Sequence, residues 1–366
     1  MQPISFARGV PAPECLPVEE LADCARAALE RDGEAVLNYG APGGYAPLRE
    51  WLAARHRVEP GRIVVTNGSL QAFLFLASCL VERGPVVVEA PTYDRPLKLL
   101  TALGAEIFAL PVDDEGLDVD SLEVLLRHGV RPAFLYTIPT FQNPSGRTLS
   151  KARRRRLVRL ARRHDLLIVE DDPYGLVRFE GKAPPTLFDL DGGANVVYGS
   201  SFSKTVAPGL RVGYLVLPNG LAAEIEAEAT STYITPSLLA QATAFEYLRR
   251  GCFEANLART CGLLRARRDA MLGALRRELP EARWSQPEGG YFLWLDLPEG
   301  ARTPDFSVRA AAAGVAFVPG ADFFLPGAGG ERAARLAYSF ATPAEIDEGI
   351  ARLASAVGSN GLRHAA

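Results

Sequence analysis

Lysine, histidine and methionine are scarce in this sequence, and long apolar runs are missing altogether. Only four of the 40 basic residues are lysine: Lys98, Lys151, Lys182 and Lys204. The four histidines, His56, His128, His164 and His364, include no pair at metal-ligand spacing, so no metal is expected. The five cysteines, Cys15, Cys24, Cys79, Cys252 and Cys261, are odd in number and lack a Cys-x-x-Cys pair. That pattern excludes a disulfide framework and suits buried thiols in a reducing compartment. No stretch approaches the roughly 20 apolar residues of a membrane span. The N-terminus, MQPISFARGVPAPE, has no basic segment followed by an apolar run. No membrane partner is expected, and the expected location is cytoplasmic. A formal charge of −3 gives no global field to attract nucleic acid.

What is present is the composition of a folded enzyme: 366 residues, 48% hydrophobic and 23% charged. That length points to two domains. Short apolar runs at Arg62–Thr66, Pro85–Glu89, Pro132–Ile138, Leu166–Glu170, Asn195–Tyr198 and Arg211–Leu217 read as strands covered on both faces. Helical patterns at Leu70–Val81, Arg95–Leu103, Lys151–His164 and Leu221–Thr230 alternate with them, which predicts an α/β sheet between helical layers. Beyond residue 236 the pattern changes. Long helices at Ser237–Arg250 and Phe253–Leu279 precede strands at Tyr291–Leu297, Ala316–Pro319 and Arg335–Phe340 and a helix at Ala344–Val357. The expected division is an N-terminal segment (1–46) covering the active site and joining a small domain, a large domain (47–255), and a small α+β domain (256–366). The basic run Lys151–Arg163 carries a Leu157, Leu160, Ala161 stripe, and reads as an amphipathic helix with a solvated face, not a nucleic-acid patch.

Several clusters carry chemistry. Lys204 follows the apolar run NVVYG within Ser-Ser-Phe-Ser-Lys-Thr, at a strand end where α/β sheets gather ligands. Arg211 lies seven residues on. A lysine held there can have a lowered pKa and act as an amine nucleophile. Gly68-Ser69-Leu70 joins a strand to a helix, so free N–H groups and the positive helix end suit a phosphate. A plain helix cap fits that string equally. Asp171, in Glu170-Asp171-Asp172-Pro173-Tyr174, is a carboxylate after a buried strand and needs a partner. Asn143 lies in a Gln-Asn-Pro-Ser-Gly turn, also after a strand. Tyr93 could stack on a flat ring or simply fill the core. Arg335 opens the apolar strand RLAYSF, where a substrate carboxylate or a surface acid would serve as its partner.

In this order and spacing the strings YGAPGGYAPLRE (Tyr39–Glu50), TNGSLQA, EAPTY, FQNPSG, VEDDPYG, SSFSKTVAPGLRVGY, PEGGYFLWL (Pro287–Leu295) and RLAYSF resemble the fold-type I aminotransferases. The likeness is to the branch that includes 2-aminoadipate and kynurenine aminotransferases, and it spans essentially the whole chain. The resemblance implies a large domain with a mostly parallel seven-stranded sheet between helices, plus a small α+β domain. It implies pyridoxal 5'-phosphate as cofactor and a homodimer with active sites at the subunit interface. Lys204 would form a Schiff base with the cofactor and then shuttle the substrate proton. Asp171 would pair with the ring nitrogen, Asn143 and Tyr174 with the ring hydroxyl, and Tyr93 would stack on the ring. Gly68, Ser69, Leu70, Ser201, Ser203 and Arg211 would hold the phosphate, with Tyr39 reaching it from the neighbouring subunit. Arg335 and Asn143 would bind the substrate carboxylate.

The chain departs from the family pattern in two places. Leu70 stands where relatives usually have glutamine, which removes a side-chain contact near the phosphate. Ala7-Arg8-Gly9 replaces Ala-Gly-Gly in the segment that covers the substrate. Arg8 would touch a distal acid or point to solvent, and solvent is the reading favoured. About forty residues precede the catalytic pattern, too few for a DNA-binding domain. The expected reaction moves an amino group from an L-amino acid to a 2-oxo acid, expected to be 2-oxoglutarate. The alternative is elimination, cyclisation or oxidation on the same scaffold. Tyr45, Phe141, Tyr233 and Phe324 are candidates for the side-chain pocket.

Overall fold

In the computed structural model residues 2–358 are described; Met1 and 359–366, including His364, lie outside them. The main sheet contains β1 (Ile63–Thr66), β2 (Val86–Ala90), β3 (Ile107–Asp113), β4 (Gly116–Leu117), β5 (Phe134–Thr137), β6 (Ile168–Asp171), β7 (Val196–Ser201) and β8 (Gly213–Val216). Their order is β1-β8-β7-β6-β5-β2-β3-β4. From β7 to β3 every pairing is parallel, and β8 runs antiparallel to both β7 and β1. The sheet has eight strands, one more than the expected seven, because Gly116–Leu117 folds back on Val112 and Asp113 to add a two-residue edge.

The all-apolar strands are explained by cover on both faces. Val87, Leu135, Ile168 and Val196 enter one core with Leu157, Leu160 and Ala161 of the helix Lys151–His164. Val86, Val88, Phe134, Tyr136, Val169 and Val197 alternate into a second core with Ala72, Phe73 and Leu76 of the helix Ser69–Leu80. The basic helix does turn Arg155, Arg159, Arg162 and Arg163 to solvent. Arg154 is the exception. It is fully buried and its guanidinium donates to Leu149 O, Pro139 O and Thr140 Oγ1 at 2.9, 2.6 and 2.8 Å.

A second sheet, antiparallel, orders β9 (Arg283–Trp284), β10 (Phe292–Asp296), β11 (Val318–Pro319) and β12 (Ala333–Ala337) as β9-β10-β12-β11. Its core takes Leu264, Met271 and Leu275 from the helix Cys252–Glu278, and Ile346, Ile350 and Leu353 from the helix Pro343–Gly358. The helix Cys252–Glu278 runs unbroken through the expected boundary at 255/256. The N-terminal Ile4–Ser5 pairs in parallel with Val315–Ala316, and Ala337 N donates to Phe6 O at 2.7 Å. The first residues are thereby bound to the second sheet's unit.

Elements the periodicity did not predict include the helices Val18–Val36, Ala46–His56, Val119–Arg127 and Thr303–Ala312, and strand β3. Strand β3 contains Pro111, which speaks against a strand in sequence. The structure tolerates it at the last step of the β2–β3 pairing, opposite Ala90, where the other side of β3 is not yet paired: β4 meets only Val112 and Asp113. Among the described residues no helix is long and apolar enough to cross a membrane.

Candidate active site

The parallel strands β2, β5, β6 and β7 all end on the same side of the sheet, at Ala90, Thr137, Asp171 and Ser201. The loops that follow meet around one cavity of about 180 Å³. Its lining includes Ser69, Leu70, Tyr93, Asn143, Asp171, Tyr174, Ser201, Ser203, Lys204 and Arg211. Segments separated by more than a hundred residues are thus brought to one wall, as the topology of an α/β sheet requires.

Lys204 lies in the turn after β7, and its Nζ donates to Gly9 O at 2.6 Å. The rings of Tyr291 and Tyr174 lie 5.3 and 5.8 Å from that nitrogen. Burial, then the positive charges of Arg335 and Arg211, lower its pKa to about 8. About a tenth of the amine is then neutral at pH 7, far more than for an ordinary lysine, and the neutral form is the one a nucleophilic amine needs.

Asp171 ends β6. Its Oδ2 accepts from Tyr136 OH at 2.7 Å, whereas its buried Oδ1 has no partner among the described residues. Desolvation raises its pKa to about 7, the Tyr136 bond opposes that, and the nearby carboxylates Asp172 and Glu89 add to it. A buried carboxylate oxygen without a donor is costly, so it marks a place for a ligand N–H. At the other end of the cavity Gly68, at φ 98°, precedes the helix Ser69–Leu80. A Cβ on Gly68 would fall 2.2 Å from Arg211 Nη2, and one on Gly213 would fall 2.3 Å from Ser69 N. Glycine at both positions lets Arg211 and the helix N-terminus converge on one small space. The cap position belongs to Gly68, and Ser69 is the first helical residue.

Arg335, from β12, is 8% exposed. Its Nη1 donates to Asn143 Oδ1 and its Nη2 to Ala7 O, both at 2.9 Å, while Nε is buried without a partner among the described residues. The guanidinium is sandwiched between Phe292 and Phe323, 4.3 and 5.0 Å from the ring centres. Tyr39 is not at this cavity. It is 75% exposed, beside a surface recess formed with Thr235–Leu239. Arg8 is exposed, its guanidinium stacked 4.5 Å over Phe340. Gly9 reaches the site through its carbonyl alone.

Some site residues escaped sequence reasoning. Phe73, Pro96, Ile138, Pro173 and Pro208 line the cavity, and none of Tyr45, Phe141, Tyr233 or Phe324 does. Tyr45 instead bonds to Asp32 and Arg31, and Phe141 lies beneath Arg178. Glu89 is 2% exposed and accepts from Thr137 Oγ1, Ile138 N and Gln142 Nε2 at 2.5, 3.2 and 3.0 Å. It ties the end of β2, near Tyr93, to the loop that carries Asn143. A carboxylate closing an apolar strand was the available signal, the same one that drew attention to Asp171.

Residues 13–353 match the family model for aminotransferases of class I and II. The chain is 39% identical to a 2-aminoadipate transaminase of Thermus thermophilus over 97% of this chain and 90% of that one. It is 37% identical to aromatic-amino-acid aminotransferase 1 of Thermococcus litoralis over 97% and 88% of the two chains. Among solved structures, the alpha-aminoadipate aminotransferase LysN of Thermus thermophilus, complexed with N-(5'-phosphopyridoxyl)-L-leucine, superposes with a TM-score of 0.92. That match has 37% identity and covers 97% of this chain and 92% of LysN. The chain belongs to the class I and II aminotransferases, with the type I fold. It is a pyridoxal-phosphate-dependent enzyme of transamination, acting on small amino and oxo acids. The free Asp171 Oδ1 and the glycine-lined cradle at Gly68 fit a ring N–H at one end and a phosphate at the other.

Proposed function

We propose that this enzyme transfers the amino group of an L-amino acid to a 2-oxo acid, with 2-oxoglutarate as acceptor, using Lys204 as its reacting amine. The observation that carries the reading is the pairing of a Lys204 of lowered pKa with an Asp171 whose inner oxygen lacks a donor, across one cavity. When bound, pyridoxal phosphate supplies the aldehyde that lysine attacks and the ring that accepts the electron pair left by the departing α-proton. Asp171 holds the ring nitrogen's proton, and the carboxylate's burial strengthens that hold. Tyr93 packs on the ring face, and Asn143 and Tyr174 bond the ring hydroxyl. Ser69, Ser201, Ser203, Arg211 and the backbone of Gly68 and Leu70 hold the phosphate. Lys204 Nζ would take the substrate α-proton and give it back to the carbon that came from the cofactor's aldehyde, across the amino nitrogen, as a general base with a pKa near the working pH. Arg335 binds the substrate carboxylate, with Asn143 Oδ1 fixing its orientation. Gly9 O, on Lys204, and the backbone of the N-terminal segment lie over the substrate, with the Arg8 side chain exposed over Phe340. In this reading residues 47–255 form the cofactor domain, and the described residues on either side of it form the cover and small domain.

The working unit is proposed to be a homodimer with its sites at the subunit interface and its location the cytoplasm. Leu37 and Ile234, 70% and 54% exposed, lie at the surface that presents Tyr39. That surface connects to the phosphate cradle, because Ser237 N donates to Asn67 Oδ1 at 3.0 Å. That placement supports the reading that Tyr39 of one subunit reaches the other's phosphate. The donors named for the relatives, 2-aminoadipate and aromatic amino acids, are the first to try. Mixing cofactor-loaded enzyme with each donor alone should accumulate the pyridoxamine form, and 2-oxoglutarate should reverse it. Release of ammonia or of a cyclised product, without that reversal, would refute transamination.

A further inference from the structure

Behind the wall that carries Asn143 lies a larger recess of about 770 Å³ that shares no lining residue with the Lys204 cavity. It opens between the loops 146–151 and 182–185 on one side and residues 284–288 on the other. Four cations line it, Arg147, Lys151, Arg178 and Lys182, against two acids, Asp114 and Glu288. Both acids are largely in water, with side chains 95% and 53% exposed. Each pairs with one arginine: Asp114 with Arg147 at 2.9 Å and Glu288 with Arg178 at 2.6 Å. Lys151 and Lys182 form no ion pair among the described residues, so two positive charges are left over.

Arg178 is the anchor. Its side chain is only 10% exposed; Nη1 donates to Glu288 Oε2 and Glu180 O, while Nε and Nη2 are buried without a hydrogen-bond partner among the described residues. Its guanidinium carbon lies 4.5 Å from the Phe141 ring centre. A buried guanidinium with unused donors carries a desolvation cost that an anion would relieve. The recess also receives the N-terminus of the 14-residue helix Lys151–His164, which adds partial positive charge. The wall itself is thin. Gln142 N donates to Arg147 O at 2.8 Å and Gly146 N to Gln142 O at 2.6 Å. One tight loop therefore presents Asn143 to the catalytic cavity and Gly146–Leu149 to the recess.

We propose that this recess is a binding site for a small organic anion carrying two or more carboxylate or phosphate charges, held by Arg178, Lys151 and Lys182. Calorimetric titration of the cofactor-loaded dimer with inorganic pyrophosphate, and separately with citrate, at constant ionic strength, tests this. The loaded cofactor keeps the catalytic phosphate cradle out of competition. Saturable binding of at least one probe is expected, pyrophosphate alone indicating phosphate recognition and citrate alone carboxylate recognition. The double variant Lys151→Glu/Lys182→Glu, at two exposed positions, should weaken that binding by about tenfold or more. Its amino-transfer rate without the probe should be unchanged. No saturable heat with either probe, or equal affinity in the double variant, would overturn the proposal.

Discussion

Replacing Tyr136 with phenylalanine removes one oxygen and leaves the buried ring, so its effect isolates a single hydrogen bond. That bond runs from the OH of the buried Tyr136 to Asp171 Oδ2 at 2.7 Å, at the wall of the cavity. A hydrogen bond to a charged group contributes about 1.5–3 kcal/mol, or about one to two pKa units. The donor favours the ionised carboxylate, so without it Asp171 rises further above about 7. The ring N–H of the bound cofactor needs that carboxylate ionised. Below pH 7 the cofactor-free carboxyl is largely protonated, and the lost bond is felt only in the complex. Cofactor affinity should then fall roughly 10- to 100-fold. Well above the raised pKa the carboxylate is ionised with or without cofactor, the bond is missing from both states, and the two proteins should bind alike. Titrating cofactor-free protein with pyridoxal phosphate across pH 6–9, read by visible absorbance, gives the affinity ratio directly. A ratio independent of pH, or no loss at any pH, would refute the assignment of Asp171 to the ring nitrogen.

Lys204→Ala should abolish turnover and leave no cofactor fixable to the protein by borohydride reduction, as peptide mass spectrometry would show. Gly68→Ala would place a Cβ 2.2 Å from Arg211 Nη2 at a φ of 98°. The arginine must retreat, and equilibrium dialysis should show cofactor affinity about tenfold lower or worse. Burial raises the folded pKa of Asp171 from 3.8 to about 7. The folded cofactor-free protein therefore binds that proton more tightly than the unfolded chain, and stability is lost as pH rises from about 4 to about 7. Bound cofactor offsets the loss by pairing the carboxylate. The difference in Tm between loaded and cofactor-free protein should therefore widen with pH across that window, measured by scanning calorimetry.

The cavity's polar lining was legible because each member sits in a short string at a strand end, and parallel strands bring such ends together. Lys204, Asp171, Asn143 and Tyr93 are all of this kind. The contacts that escaped are made by backbone or between distant segments. The Gly9 carbonyl meets Lys204 across 195 positions, and the Glu89–Gln142 bond spans 53. Nothing in local pattern specifies either. The aromatic candidates failed for a related reason: bulk and flatness suit a core as well as a pocket, and Tyr45 and Phe141 went to cores. Strand β3 was hidden by Pro111, which only its place near the sheet edge excuses. Arg154 reads as one more solvated cation in sequence, yet four carbonyl and hydroxyl acceptors hold it inside.

The N-terminal segment has a consequence for how relatives of this enzyme can diverge. Its holds on the site are main-chain oxygens, that of Ala7 on Arg335 and that of Gly9 on Lys204. A new side chain at position 7 or 8 leaves those oxygens where they are. At position 9 the Phe292 ring, 2.5 Å from any added Cβ, forbids the change. Selectivity can therefore drift through point changes at two neighbouring positions, while an insertion or deletion there would shift both oxygens out of step.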